Sequence, residues 1–369
     1  MPEHPSIHGR GAAANPTNRF ESYAHVADPD PQSPFAVDDP TADPDMPRRH
    51  PLTQFLADST RKFIASNDSP DVPFAFSINP YRGCEHGCIY CFARPTHEYL
   101  GLSAGLDFET KILVKRDAPA LLRKELAHPK WQPQVIACSG VTDCYQPIER
   151  KLALTRQCLE VFLDYRNPVT IVTKNHLVTR DIDLLAQLAQ FNCVQIFLSV
   201  TTLDKDLAQI MEPRTSTPQR RLDTIRELHA AGIPVGVMVA PVIPALTDHE
   251  MPAILAAARD AGAQSAGYVP LRLPHAVKDL FADWLDRHFP DRKNKVLNRI
   301  KDLRGGKLYD AAFGDRMRGQ GQWADMLKST FSLHTARLGL NEKRLTTTAA
   351  HFRRPPLPPA PGETLPLFV

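Results

Sequence analysis

The sequence is short of the features that mark membrane, secreted or nucleic-acid-coating proteins. It has neither an apolar signal stretch at its start nor a run long enough to span a bilayer, which reads as a cytosolic protein. Its 44 basic and 41 acidic side chains leave a net charge of only +3. That is no electrostatic signature of a dedicated nucleic-acid binder, although a local basic groove stays open. The seven cysteines are odd in number and gather around one short segment, so they argue against a disulfide framework and for a reducing compartment. No second cysteine pair follows that segment, and no internal repeat is visible. What is present is a chain of 369 residues with 43% hydrophobic side chains, enough for one large domain or two small ones.

Both ends are rich in proline. Twelve of the 34 prolines lie within residues 1–75. Residues 1–70 are expected to be largely disordered, with one short helix over Leu52–Ile64. Near the start, H-G-R-G-A-A-A-N-P-T-N-R-F-E reads either as a lid over the site or as part of a disordered tail. Residues 351–369 read as a flexible polyproline tail. Between the ends, short β-branched runs alternate with helical patterns. The runs are F-A-F-S-I near residue 76, V-I-A-C-S at 135–139, V-T-I-V-T at 169–173, V-Q-I-F-L-S-V at 194–200, V-G-V-M-V-A at 235–240 and G-Y-V-P-L at 267–271. Each is almost continuously apolar, as parallel strands buried on both faces are. Helices are expected over Arg150–Asp164, Ile182–Phe191, Gln219–Ala231 and Met251–Ala261, the last opened by a capping box of Thr247 and Glu250. Six strands with helical crossovers define an α/β fold, either barrel-like or open and doubly wound, and periodicity does not separate the two. Residues 71–275 form this core. Residues 276–350 add helices over Val277–His288, Lys293–Leu303 and Ala324–Phe331, read as a helical cap.

The most informative segment is R-G-C-E-H-G-C-I-Y-C-F, which spaces Cys84, Cys88 and Cys91 as C-x3-C-x2-C. Three thiolates can hold a [4Fe–4S] cluster and leave one iron open to another ligand. The bland alternative is a zinc site completed by His86 or another histidine. Zinc sites usually draw on two paired ligand clusters, and His86 lies between two of the cysteines, where a short loop can hardly turn it onto the same metal.

The same spacing, with an aromatic residue before the third cysteine, resembles the radical S-adenosylmethionine (SAM) superfamily. The resemblance implies an open, partial (β/α)6 TIM barrel whose site lies at the C-terminal strand ends. It also implies a SAM molecule chelated by the open iron and cleaved reductively to methionine and a 5′-deoxyadenosyl radical, with an electron donor such as flavodoxin or ferredoxin. Candidate SAM contacts sit at successive strand ends, each with an everyday reading beside it. Asp143 can accept from the SAM ammonium or simply cap a helix; Lys174 can pair with the carboxylate or be a solvated lysine. Ser199, with Thr201 and Thr202, suits a ribose or a turn. Glu212 and Arg214 suit a ribose and a carboxylate, or a local ion pair worth little.

From about residue 78 to 244 the sequence is similar to the spore photoproduct lyase branch. The matching segments are C-I-Y-C, T-D at 142–143, V-T-K at 172–174, F-L-S-V at 197–200, Glu212 and A-G-I-P-V-G-V-M-V-A-P-V-I. That resemblance implies SAM contacts at Thr142, Lys174 and Ser199, and a DNA lesion as one candidate substrate. Two positions depart from the branch. Its hydrogen-donating cysteine is replaced by Val141, and the tyrosine after its third cluster cysteine by Phe92. Neither side chain here carries an S–H or O–H, so Tyr90 and Cys144, with Cys138 nearby, are the candidates for hydrogen transfer. The resulting expectation is a radical SAM enzyme acting on an unidentified substrate. Lesion repair and a non-enzymatic electron-transfer or structural iron–sulfur protein are its rivals.

Overall fold

A computed structural model describes residues 7–21, 52–343 and 345–355. Ten short strands organise it: β1 Gln54–Ala57, β2 Ala65–Ser66, β3 Phe76–Ile78, β4 Tyr81–Arg82, β5 Lys111–Val114, β6 Ile136–Cys138, β7 Val169–Thr173, β8 Val194–Ser199, β9 Val235–Val242 and β10 Ser265–Pro270. Strands β3 and β6 to β10 pair in parallel, in chain order, and β2 adds an antiparallel edge to β3. These six parallel strands are the six apolar runs of the sequence. The sheet curls without closing, so the barrel is open, as expected.

Crossovers such as Leu154–Tyr165, Ile182–Gln190, Pro218–Ala230 and Met251–Asp260 cover one face of this sheet. They bury Ile171, Ile196, Leu198, Val235 and Val237 beneath them. The opposite, inner face behaves differently from a doubly buried strand. Thr170, Gln195, Phe197 and Met238 are only half-buried, and Val172 is 40% exposed. An open barrel leaves its lumen unfilled, so the strands alternate in burial although their sequence is uniformly apolar.

The N-terminal region departs from the expectation of disorder wherever it is described. Residues 7–21 lie against the core with Ala12 and Asn18 buried. The helix expected over Leu52–Ile64 is instead the exposed strand β1, which pairs in parallel with β5; β4 completes this three-stranded sheet. The long-range ladder to residues 111–114 outweighs a weak helical pattern, a competition that local periodicity does not record. The Thr247–Glu250 capping box is also absent. Thr247 Oγ1 accepts from the backbone of Ile243 at 3.0 Å, and Glu250 takes Thr202 Oγ1 and the Leu203 N–H at 2.6 and 2.7 Å. Two better donors from a neighbouring loop draw the carboxylate away.

Beyond the sheet, Val277–His288, Pro290–Leu303 and Gly321–Arg337 form the helices expected of the C-terminal region. The tail begins packed rather than loose. Phe352 lies beside Tyr165, and the Arg353 N–H donates to the Tyr165 carbonyl at 2.9 Å. The remainder of that tail, and residues 22–51, lie outside the described residues.

Candidate functional site

The three motif cysteines occupy the loop between β4 and the 3-10 helix Arg94–Leu100. Backbone bonds shape it: Cys84 N–H to Phe108, Cys91 N–H to Cys88 and Ile89 N–H to Met211, at 2.9, 3.2 and 3.1 Å. Its main brace is Arg94, which is fully buried. Arg94 donates Nε to the Cys88 carbonyl at 3.0 Å and Nη2 to Gly87 at 3.2 Å, while Nη1 reaches Ala104 and Gly105 at 3.2 and 3.0 Å. Its charge is balanced by Glu109, equally buried, at 2.5 Å. Glu109 in turn accepts the N–H groups of Gly11 and Ala12 at 3.1 and 2.9 Å. The N-terminal segment is therefore a strap on the cysteine loop: a Cβ at Gly11 would fall 1.9 Å from the Gly87 carbonyl oxygen.

Electrostatics around the thiols suits a metal cluster. Burial pushes the Cys84 and Cys88 thiols well above the usual range, so without a metal they are neutral. Cys91 is also raised by burial, against the pull of Arg94, Lys174 and the backbone N–H groups of Ala93 and Arg94. Lys174 and Arg221 act likewise on Cys88. Cations and N–H donors aimed at sulfur are what an anionic iron–sulfur cluster requires. Among the described residues no three Cys, His, Asp or Glu side chains converge on a single metal-ion position. His86, the zinc alternative, turns its nitrogens elsewhere, with Nδ1 3.4 Å from Asp143 and Nε2 3.2 Å from Asn175 Nδ2.

At the adjacent strand ends five of the anticipated residues meet: Lys174, Ser199, Thr201, Glu212 and Tyr90. Lys174 Nζ, just past β7, lies 2.6 Å from Ser199 Oγ, 3.1 Å from the Ala240 carbonyl and 3.4 Å from Glu212 Oε1. Burial, with Arg221 close by, lowers Lys174 to about 8. The fully buried Glu212 accepts from Thr201 Oγ1 at 2.7 Å, from the Tyr90 hydroxyl and from Arg221. Its carboxyl is raised by burial against the pull of Arg221. Tyr90 thus joins the group through its O–H, with its ring 5.8 Å from Lys174 Nζ.

The other candidates sit apart from this cluster of side chains. Asp143 is a frame: it accepts from Thr173 Oγ1 and the Lys174 and Tyr145 N–H groups at 2.8, 2.8 and 2.9 Å. Burial alone would raise its carboxyl, but His86 and those N–H groups hold it below the ordinary range. Thr142 donates Oγ1 to the Tyr81 carbonyl at 2.8 Å. Arg214 points to Glu85 at 3.4 Å rather than to Glu212, whose partner is Arg221. Cys144 is fully enclosed in the main hydrophobic core with Cys138 and Cys158, where burial raises its thiol well above the usual range. Sequence reasoning missed Arg94, Glu109 and Arg221. The one available signal was an arginine three residues after the last motif cysteine.

Comparison with known proteins fits this geometry. The Radical SAM superfamily profile matches residues 78–258. An uncharacterised protein of Mycobacterium tuberculosis is 37% identical over 250 residues, 67% of this chain and 72% of its own length. A protein of Pseudomonas phage M6 named radical SAM Nalpha-GlyT isomerase is 27% identical over 207 residues, 56% of this chain and 41% of that protein. Among solved structures, spore photoproduct lyase complexed with dinucleoside spore photoproduct aligns with a TM-score of 0.55 at 17% identity, over 78% of this chain and 80% of that one, a likeness of fold. With that domain taking in the cysteine loop and strands β6 to β9, the chain belongs to the radical SAM superfamily, whose members are enzymes that use a [4Fe–4S] cluster and S-adenosylmethionine.

Proposed function

We propose that Cys84, Cys88 and Cys91 ligate a [4Fe–4S] cluster and that the group at the ends of β7, β8 and β9 receives SAM. The observation that carries this reading is the meeting of Lys174, Ser199, Thr201, Glu212 and Tyr90 beside the cysteine loop. When bound, cluster and SAM together supply a reductively generated 5′-deoxyadenosyl radical. The protein's part is to hold and orient. Lys174 Nζ offers a cation to a carboxylate, and Ser199 and Thr201 offer hydroxyls to a ribose. Arg221 and Tyr90 keep Glu212 fixed while Asp143 sets the backbone of Lys174. Thr142 fixes the turn at Tyr81, and Arg214 braces Glu85 and the loop from outside. Tyr90 is a positioning residue through Glu212, and Cys144 is core.

Within this frame a nucleic-acid substrate is favoured by the mouth of the barrel. Phe92, next to Cys91, is 46% exposed, and the Arg272 guanidinium lies 4.5 Å over its ring. An aromatic face with a stacked arginine suits a base beside a phosphate. The relatives named for a dinucleoside photoproduct and for an Nalpha-GlyT isomerase support the same class. Lesion reversal by the lyase's own route is disfavoured, because Val141 and Phe92 lack its hydrogen donors.

The test is deoxyadenosine formation from SAM by anaerobically reconstituted protein with a strong reductant, beside a Cys84/Cys88/Cys91→Ala variant. Product from the parent protein alone is expected. No product despite a spectroscopically intact cluster would favour electron transfer instead. Salt-dependent binding of damaged over undamaged duplex would select lesion DNA, and equal binding of both would reject it.

A further inference from the structure

A surface cleft of about 480 Å³ has a lining that includes Arg150, His176, Arg180 and Arg220 and no carboxylate. Arg150 is exposed, and Arg220 is half exposed, with Nη1 3.8 Å from Glu227 Oε1 and Nη2 2.6 Å from His176 Nε2. Arg180 is held by Glu149 and Asp181, each at 2.8 Å. The helix Pro218–Ala230 starts at the edge of the cleft and turns its positive end towards it. The most buried lining residue, Asn175, bonds His86, which sits between Cys84 and Cys88. One side chain therefore separates this basic cleft from the loop proposed to hold the cluster. The second surface cleft differs: it is lined by Asp204 and Glu250 as well as His249 and Arg292.

We infer that the Arg150–Arg220 cleft is the docking surface for a small, acidic, one-electron donor protein. The inference rests on the proposed cluster at Cys84, Cys88 and Cys91. A chain with one three-cysteine motif must receive its electron from another molecule. The inner side of the loop is taken by the groups proposed for SAM and substrate, so the donor approaches from the outer flank. Tunnelling weakens exponentially with distance, which favours the surface nearest the cysteines. The exposed guanidinium groups complement carboxylates arranged around a donor's cofactor, and such charge pairing acts chiefly on encounter rate. In the transfer the donor is oxidised by one electron and the cluster reduced by one; no covalent bond forms or breaks.

The experiment compares the reconstituted protein with Arg150→Glu/Arg220→Glu, following bleaching of cluster absorbance after anaerobic mixing with flavodoxin hydroquinone or with dithionite. The double variant should be reduced by flavodoxin about tenfold or more slowly at low ionic strength, with a flattened salt dependence. Its iron content and its reduction by dithionite should not change. Unaltered flavodoxin kinetics would overturn the proposal, and so would an equal loss with dithionite, which would mean that the arginines merely support the loop. Binding of dye-labelled flavodoxin to iron-free protein provides a second readout. Weaker binding by the variant is expected there too, so failure to assemble a cluster is distinguishable from failure to dock. Loss of single-stranded oligonucleotide binding with flavodoxin binding intact would assign the cleft to nucleic acid and refute the donor surface.

Discussion

Outside the cysteine loop, polar atoms are tied down over long spans of sequence. On the inner face of the sheet several side chains are half open. Arg94 reaches four carbonyls and Glu109, and Glu109 reaches back to the strap at Gly11 and Ala12. Across the sheet, Val172, Phe197 and Met238 face the lumen part-exposed. The contrast teaches a division of labour. The cysteine loop is held in place by the protein's own hydrogen bonds, whereas the inner face of the sheet stays part-open.

The sharpest way to break the comparison is to empty the brace. Arg94→Ala strands Glu109 as an unpaired buried charge and frees the carbonyls of Gly87 and Cys88. It is expected to cost about 3–5 kcal/mol in urea denaturation and to lower retained iron. A cost below 1 kcal/mol would mean that the loop holds itself.

Next in size is an acid effect at the same end. His97 donates Nε2 to the Lys111 carbonyl at 2.9 Å, while its buried Nδ1 has no partner. Burial lowers its pKa to about 4. Between that value and the unfolded value near 6.5, the unfolded chain binds the extra proton. The stability associated with neutral His97 is thus present above pH 6.5 and lost as pH falls towards 4, by up to about 3 kcal/mol. His97→Gln should flatten this acid slope in denaturation between pH 7 and 4.5; parallel slopes would remove His97 as its cause.

Two glycines sharpen the contrast further. Gly11→Ala drives a methyl into backbone and should cost about 1–3 kcal/mol, together with faster proteolysis of the strap. Gly267→Ala meets only the Met238 side chain, Sδ at 2.7 Å, on the open face. A flexible thioether can swing aside, so the expected loss in thermal denaturation is under about 1 kcal/mol. Equal losses at the two positions would erase the distinction between closed and open sides.

The six strands were legible because each lies in an almost continuously apolar run, Val169–Thr173 to the residue. The Cys84, Cys88 and Cys91 segment was legible because its spacing is local. The brace was not. An Arg94–Glu109 pair, or a strap binding across 97 residues, leaves no periodic trace. Partner choice was misread for the same reason: Glu212 was assigned its sequence neighbour Arg214 and takes Arg221, one helical entry further on. Inner-face exposure was hidden too, since apolar composition does not say whether a lumen is filled.

The neutral state of the buried motif thiols has a consequence for handling and assembly. Thiolate is the species that oxidants attack and that binds metal, so burial that raises these thiols slows both. In the proposed cluster the same property makes loading a proton-releasing process, because each of Cys84, Cys88 and Cys91 would give up a proton on binding iron. Cluster assembly should therefore speed up and strengthen in mildly alkaline buffer, where those protons leave most readily.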